Sequence, residues 1–413
     1  MLMRYELKKI FTKRTNQVVL ILILILVAYT CRTALKQVEW IDDQGNSITG
    51  HSAAVNLRDD SLGWSGTLDQ KLLEEALIEL KSIYNSTEID THSWESNWIL
   101  KNKLQGLQEI ADLLSWSFID EYDTFEEMIA NLQSEDLAHF YENRIANRKA
   151  YLYEDETSWG YYNYSPKEKK YILDQFESLE TPLEVGYHEG WVQANAQIPT
   201  LLKYAIIFLS FILAGIFADE FTLKTDAVYY NTFHGRTKAT IVKMIIGFII
   251  ITVVYWLIVG VYTLIVLGNL GTDGANCYVQ SHAGYWNVKE SVPFKQKYLL
   301  TLISGYIGYL FVGFLVIWIS GLTKSSVLAV LIPSLVILLP QYLWNFYSPA
   351  MRRLIGILPD KLLDIETALQ YLYLYPIGDN VFTCICILLV VYPCITVLLI
   401  FFCYRIYRHK QIV

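Results

Sequence analysis

FADEFTLKTDAVYYNTFHGRTKATIVK, residues 217–243, is a polar and charged stretch between two long apolar runs, residues 201–216 and 244–267. It carries four basic residues, and basic residues beside membrane spans are typical of the cytoplasmic side of a bilayer. The stretch is also longer and more highly charged than a turn between two spans needs. We therefore expect it to lie in the cytoplasm and to form the contact with a cytosolic partner.

Apolar residues dominate the chain and are gathered into long runs. Hydrophobic residue types make up 53% of the 413 residues, more than an ordinary soluble domain contains. About 20 apolar residues are enough to cross the hydrocarbon core of a bilayer. The sequence predicts an all-α integral membrane protein with six transmembrane helices, at residues 17–35, 200–218, 242–267, 298–320, 327–346 and 381–404.

Charge divides the chain into an acidic block and a basic remainder. Residues 36–199 contain 31 acidic and 12 basic residues, whereas the rest contains 10 acidic and 21 basic residues. The basic residues flank apolar runs and form no stripe with aromatic residues, so nucleic acid is not an expected partner. None of the six cysteines lies in the acidic block, which must therefore fold without disulfide bonds.

Helical periodicity recurs through the acidic block. Thr67 and Gln70 have the spacing of a capping box, and leucines follow at helical intervals to about residue 83. Further helices are predicted at residues 98–114, 125–132, 137–150 and 166–179. A block of this length can bury a core of its own. Residues 36–199 are therefore predicted to be a large, mainly helical extracellular domain inserted between spans one and two.

Lys and Arg indicate how the spans are oriented. Residues 1–16 have the pattern of a basic amphipathic helix suited to the cytosolic, anionic leaflet. With the N-terminus in the cytoplasm, segments on that side hold 13 basic residues against four acidic ones, which fits six spans with both termini cytoplasmic. A cleaved signal peptide is the alternative for the first apolar run. It is disfavoured because Thr30 is too large for the last position of a cleavage site.

The later spans show two packing signals. Gly305, Gly308 and Gly313 in span four predict close helix contacts more than a substrate path. Between spans five and six, residues 351–358 and 361–372 are apolar enough to lie at the membrane interface or to dip into it as short helices.

The motifs of a self-contained enzyme fail residue by residue. The run Thr323-Lys324-Ser325 resembles the end of a phosphate-binding loop, but Trp318 and Thr323 stand where its glycines belong. His188-Glu189 resembles the start of a zinc-protease motif, but Val192 replaces the second histidine. The seven histidines are scattered along the sequence. We expect no catalytic, metal or cofactor site in this chain.

The layout resembles a known family of membrane proteins. Six spans, a basic amphipathic N-terminus, a large insertion after span one and the pattern Phe217-x-x-Glu220…Arg236…Lys243 after span two are similar to the permease subunit of an ABC transporter of the type-2 exporter class. The resemblance covers residues 1–35 and 190–413. The chain departs from the family's frequent Gly and Pro at Thr222 and Gly235.

The resemblance implies that residues 217–243 contain a coupling helix, which docks on a separate ATPase. Phe217, Glu220, Asp226, Arg236 and Lys243 are the implied ATPase-coupling residues. ATP and Mg would then be bound by a cytosolic ATP-binding ABC subunit, with none in this chain. Membrane lipids and a second permease copy, or a related permease, are the other implied partners, and a bacterial plasma membrane is the implied location.

Two other functions remain open on the sequence. The chain could be a membrane-anchored receptor or sensor that acts through the acidic domain. An integral membrane enzyme is disfavoured, because polar catalytic groups are missing at span depth. For an exporter, the size of the acidic domain suggests an amphiphilic or peptide-like substrate.

Overall fold

The computed structural model describes residues 2–86, 97–119, 122–224, 235–343, 348–371 and 373–408. Up to the second apolar helix, the helices and strands are α1 (Leu2–Thr12), α2 (Arg14–Gln37), β1 (Glu39–Ile41), β2 (Ser47–Thr49), α3 (His51–Ser61), β3 (Gly66–Thr67), α4 (Gln70–Tyr84), α5 (Asn97–Leu104), α6 (Gln108–Phe118), α7 (Phe125–Asn131), α8 (Phe140–Tyr153), α9 (Trp159–Asn163), α10 (Pro166–Glu177), β4 (Glu184–Val185) and α11 (Glu189–Thr222).

A π-helical turn, Gly235–Ala239, opens the second half of the described chain. It is followed by α12 (Thr240–Leu270), α13 (Phe294–Thr323), α14 (Ser326–Leu338), α15 (Pro340–Leu343), α16 (Pro349–Gly356), α17 (Ile365–Gln370), β5 (Leu374–Ile377), β6 (Asn380–Thr383) and α18 (Cys384–Arg408). The strands form three separate antiparallel pairs, β1–β2, β3–β4 and β5–β6.

Six helical stretches are long and apolar enough to cross a membrane. They are Arg14–Gln37, Glu189–Thr222, Gly235–Leu270, Phe294–Thr323, Ser326–Leu343 and Cys384–Arg408. The chain is therefore mostly helical and has the build of a multi-pass membrane protein, as predicted. Several stretches are longer than expected, and α11 begins at Glu189, inside the block that the sequence assigned to the insertion.

Helix α11 is the centre of the bundle. It packs against α2, α12, α13 and α14, and most of its side chains between Leu201 and Ala218 are buried. Side chains of α13 bond to its backbone: Tyr309 donates to the carbonyl of Leu202 at 2.9 Å and Ser320 to that of Ala214 at 2.9 Å. These bonds hold the two helices at a fixed register.

Glycines on α13 allow this close packing. A Cβ added to Gly313 would stand 2.4 Å from Cδ1 of Ile251, and one added to Gly305 would stand 2.8 Å from Cδ1 of Leu202. Both distances are well below van der Waals contact. The predicted role of these glycines in tight packing is confirmed.

Residues 357–364, which we call the docked segment, reach the middle of the bundle. A Cβ on Gly308 would stand 2.8 Å from Leu363 and 3.2 Å from Cβ of Leu362, and both leucines are fully buried. Gly308 lies 14 residues after Phe294, which is about 21 Å along the helix. The prediction of short apolar helices between spans five and six agrees with this arrangement.

Residues 38–188, which we call the insert, lie at one end of the bundle in the parts that the structure describes. Their main core is built from α4, α6, α7 and α8, but Ala283 and Trp286 of the α12–α13 loop belong to the same cluster. Arg144 fixes this loop, because its guanidinium donates to the carbonyls of Trp286 at 3.0 Å and Val288 at 3.2 Å. The core of the insert is therefore completed by a distant part of the chain.

The helices of the insert follow the predicted periodicity with local differences. The predicted capping box is wrong in position, because the side chain of Asp69 caps α4 by accepting from the amide of Leu72. The helix expected at 98–114 is split into α5 and α6 at Gly106, whose φ of +77° favours glycine. Helix α3 and the strand pairs were not predicted.

Candidate functional site

The residues implied to couple to an ATPase lie at the bundle end opposite the insert. Phe217 and Glu220 belong to the last two turns of α11, Arg236 belongs to the π-helical turn, and Lys243 belongs to the first turn of α12. Asp226 lies outside the described residues. The helical ends of the predicted coupling stretch are therefore continuations of two apolar helices.

Glu220 joins these two helices through a buried ion pair. Its Oε1 accepts from Nζ of Lys243 at 2.6 Å, and the side chains of Glu220 and Lys243 are only 7% and 1% exposed. The same ammonium donates to the carbonyl of Ile216 at 3.0 Å. A buried ammonium is stable only when its charge and its N–H groups are satisfied in this way.

Helix α1 is attached to the same place. Lys9 donates to Oε1 of Glu220 at 2.8 Å, and Lys13 binds both carboxylate oxygens of Asp219 at 2.8 and 2.7 Å. Burial lowers the pKa of Lys9, but the hydrogen bond and charge of Glu220 outweigh it, so the pKa is raised overall. We call Lys9, Lys13, Asp219, Glu220 and Lys243 the basal ion cluster.

An aromatic contact adds the last helix to this site. The rings of Phe217 and Tyr407 are stacked with centroids 3.7 Å apart, and the hydroxyl of Tyr407 donates to the carbonyl of Ile317 at 3.0 Å. Phe217 and Tyr407 are both fully buried. The end of α11 is thereby tied to α1, α12, α13 and α18.

The sequence led us to expect that acidic groups of this stretch would pair with an ATPase. The structure gives Asp219 and Glu220 partners within the chain, and Arg236 is half-buried. The coupling role of the five implied residues stays a prediction. Within the described part of 217–243, the exposed side chains are those of Thr222, Leu223, Lys224, Lys238 and Ile241.

Sequence reasoning missed two further ion pairs, which join α11 and α13 to residues 364–366. Lys203 of α11 binds Asp364 at 2.6 Å, and Lys297 of α13 lies 2.5 Å from Glu366. Both acids lie at the C-terminal side of the docked segment. In the sequence, these pairs are indicated only by a lysine near one end of an apolar run, Lys203 or Lys297. A lysine in that position does not identify its acidic partner.

The structure also brings together histidines that are scattered in the sequence. His188 and His282 lie beside Glu109, although 94 residues separate the two histidines. No local spacing motif could reveal this cluster, because its members come from three different elements.

Comparisons of this chain with models of protein families, with curated proteins and with solved structures find no match.

Proposed function

We propose that this chain is the membrane-spanning permease subunit of an ATP-driven exporter of the type-2 ABC class, energised by a separate cytosolic ATP-binding subunit. The observation that carries the proposal is the basal ion cluster. It anchors both ends of the predicted coupling stretch to each other and to α1. A turn that only connects two spans needs no such anchoring.

Coupling requires an element that moves without bending. When ATP closes two cytosolic subunits on each other, their displacement reaches a substrate path only if the contacted element is rigidly attached to the spans. A buried pair between Glu220 and Lys243 meets this requirement, since separating its charges breaks a short ion pair in a region of low dielectric. The stacked rings of Phe217 and Tyr407 extend the attachment to α18.

The remaining parts of the proposal rest on the family resemblance and on the pattern of the sequence. ATP and Mg bind to the partner subunit, and the chain is not an enzyme by itself. Two copies, or one copy and a related permease, enclose the path for an amphiphilic or peptide-like substrate. The protein is placed in a bacterial plasma membrane, with the basal ion cluster and both termini in the cytoplasm and the insert outside.

Charge reversal at the edge of the stretch tests the proposal. Lys238 is exposed, so Lys238→Glu should leave the fold intact. If the stretch docks on an ATPase, this variant and Arg236→Glu should weaken assembly or uncouple ATP hydrolysis from transport. A rim charge costs a fraction of a kcal/mol, and a desolvated pair costs about 2–5 kcal/mol. The measurements are partner retention and substrate-stimulated ATP hydrolysis in the reconstituted complex.

Lys71→Glu is the matched control, because Lys71 carries the same charge on the insert and its side chain is 83% exposed. It should behave as the wild type does. Thermal midpoints of all three variants show whether the fold survives. Wild-type assembly and coupling in both Arg236→Glu and Lys238→Glu, and in the double variant, would remove the coupling role from this stretch.

A further inference from the structure

Three side chains from distant parts of the sequence meet where the insert joins the bundle. Glu109 lies on α6 of the insert, His188 immediately precedes α11, and His282 lies in the loop between α12 and α13. Each offers one ligand atom, and these atoms all lie within 4.8 Å of one another. Two imidazoles and a carboxylate are a donor set that binds divalent transition-metal ions.

The distances are close to those of a metal site. Oε2 of Glu109 lies 2.8 Å from Nδ1 of His282 and 3.9 Å from Nε2 of His188. The second distance is too long for a hydrogen bond. Ligand atoms around tetrahedral Zn²⁺ are about 3.3–3.6 Å apart, given bonds of about 2.0–2.2 Å. The two distances from Glu109 differ from that range by about 0.3–0.5 Å.

The surroundings already hold two of the three ligands in place. The amide of Ala283 donates to Oε1 of Glu109, which leaves Oε2 facing the histidines. The ring of His188 is stacked on Phe294, with centroids 4.9 Å apart, and the residue is only 3% exposed. Supporting contacts of this kind orient metal ligands and raise affinity.

The charges around the cluster also favour a cation, because the carboxylate of Glu109 lies beside both histidines. Glu189 adds negative charge nearby, while the neighbouring Lys297 is neutralised by Glu366.

A cleft gives access to the cluster. Its volume is about 440 Å³, and its lining includes Glu109, His188 and Glu189 together with the polar side chains of Lys101 and Gln105. The cleft therefore gives a small solute or an ion a path to Glu109 and His188.

We propose that Glu109, His188 and His282 bind a divalent transition-metal ion of the Zn²⁺ type through Oε2, Nε2 and Nδ1 respectively. When Nδ1 of His282 becomes a ligand, the ring proton is held on Nε2. The ion joins α6, the start of α11 and the α12–α13 loop, and so clamps the insert on the bundle. This metal site is proposed independently of the transport function, and its test needs no transport assay.

Metal titration of the full chain tests this site. The protein is purified in detergent without a polyhistidine tag, stripped with a chelator and titrated with Zn²⁺ against a chromophoric chelator. We expect one ion per chain and a rise in the thermal midpoint. Glu109→Gln and His282→Ala should each weaken binding by about 100-fold or more and abolish the rise, since loss of even a supporting group costs about 10–100-fold. Co²⁺ should give visible absorption bands in the wild type but not in Glu109→Gln or His282→Ala.

His139→Ala is the matched control, because His139 also lies beside a glutamate, Glu142, but is exposed. Its Zn²⁺ affinity and thermal rise should equal those of the wild type. Glu109→Gln preserves the shape of the side chain, so loss of binding with an unchanged fold identifies a ligand. Absence of stoichiometric binding, or equal binding by Glu109→Gln, His282→Ala and the wild type, would overturn the proposal.

Discussion

Glu220 is the residue on which the basal ion cluster depends, because two ammonium groups share its Oε1. Lys243 has the more demanding position of the two lysines, since its side chain is 1% exposed whereas that of Lys9 is 32% exposed. Removing the carboxylate takes from the buried ammonium of Lys243 the counter-charge that is hydrogen-bonded to it. Replacing Glu220 and Lys243 together by uncharged residues of similar size removes both charges and changes the packing only slightly.

Glu220→Gln should therefore destabilise the protein by about 3–5 kcal/mol, the usual cost of orphaning a buried charge. The double variant Glu220→Gln/Lys243→Met should recover most of this loss, because neither position then carries a charge. Thermal unfolding of the full chain in detergent measures both effects. Lys9→Met is the comparison for a half-exposed partner and should cost far less.

A double variant as unstable as Glu220→Gln alone would show that charge compensation is not the reason for the pairing. The test also separates stability from coupling. Since Glu220 is bonded within the chain, loss of activity in its variants cannot by itself be assigned to a partner, whereas loss in Lys238→Glu can.

At the scale of elements, α8 holds the insert to the α12–α13 loop. Arg144 is buried and donates to three carbonyls, those of Trp286, Val288 and Phe176. Its guanidinium also lies 4.2 Å from the ring centre of Phe176. A planar guanidinium with five N–H donors can bond to these carbonyls and stack on the ring at the same time, and a lysine cannot do both.

Arg144→Ala should loosen the loop from the insert, because the carbonyls of Trp286 and Phe176 lose the donor that Arg144 provides. The carbonyl of Val288 keeps a hydrogen bond from Gln280, and each unsatisfied buried group costs about 1–3 kcal/mol. We expect faster limited proteolysis at residues 271–293 and a lower thermal midpoint. Lys149→Ala, an exposed change on the same helix, should alter neither. If the protease cleaves Arg144→Ala at the wild-type rate, the arginine does not anchor the loop.

The docked segment gives a second prediction at this scale. Gly308→Leu places a side chain where Leu362 and Leu363 already pack, so it should lower the thermal midpoint by displacing the segment. Gly260→Leu on α12 is the control, because a Cβ there meets nothing within 4 Å. Equal stability of the two variants would contradict the packing described for the docked segment.

The sequence predicts those helices that are determined by their own residues. The apolar runs gave the six long helices, and Ser165 with Glu168 forms the capping box that starts α10 where the sequence indicated. Features that depend on distant residues were not predictable. Trp286 in the core of the insert, the Lys203–Asp364 pair and the cluster of Glu109 with two histidines require the folded chain to bring their members together.

At the scale of the whole molecule, the insert and the basal ion cluster lie at opposite ends of the bundle. The proposed orientation puts the insert outside the cell and the cluster inside. A cysteine at Ser178, exposed on the insert, should react with a membrane-impermeant maleimide in intact cells. A cysteine at Lys238 should react only after permeabilisation. Both are introduced into a chain whose six native cysteines are replaced.

The reverse labelling pattern would invert the orientation and place the predicted coupling stretch outside the cell. Labelling of both positions in intact cells would be incompatible with the single span, α11, that separates them. After either result the described fold would stand, but the proposed function would not.

ATP hydrolysis by the complex purified through this chain tests the central claim most directly. The full chain is isolated from its native membrane in mild detergent, and hydrolysis is measured with Mg²⁺ and with or without vanadate. The account predicts vanadate-sensitive hydrolysis that co-elutes with the chain, persists with Lys71→Glu and falls with Lys238→Glu. A chain that elutes intact, with its native thermal midpoint and without hydrolysis above background, would contradict the claim that it works with a separate ATPase.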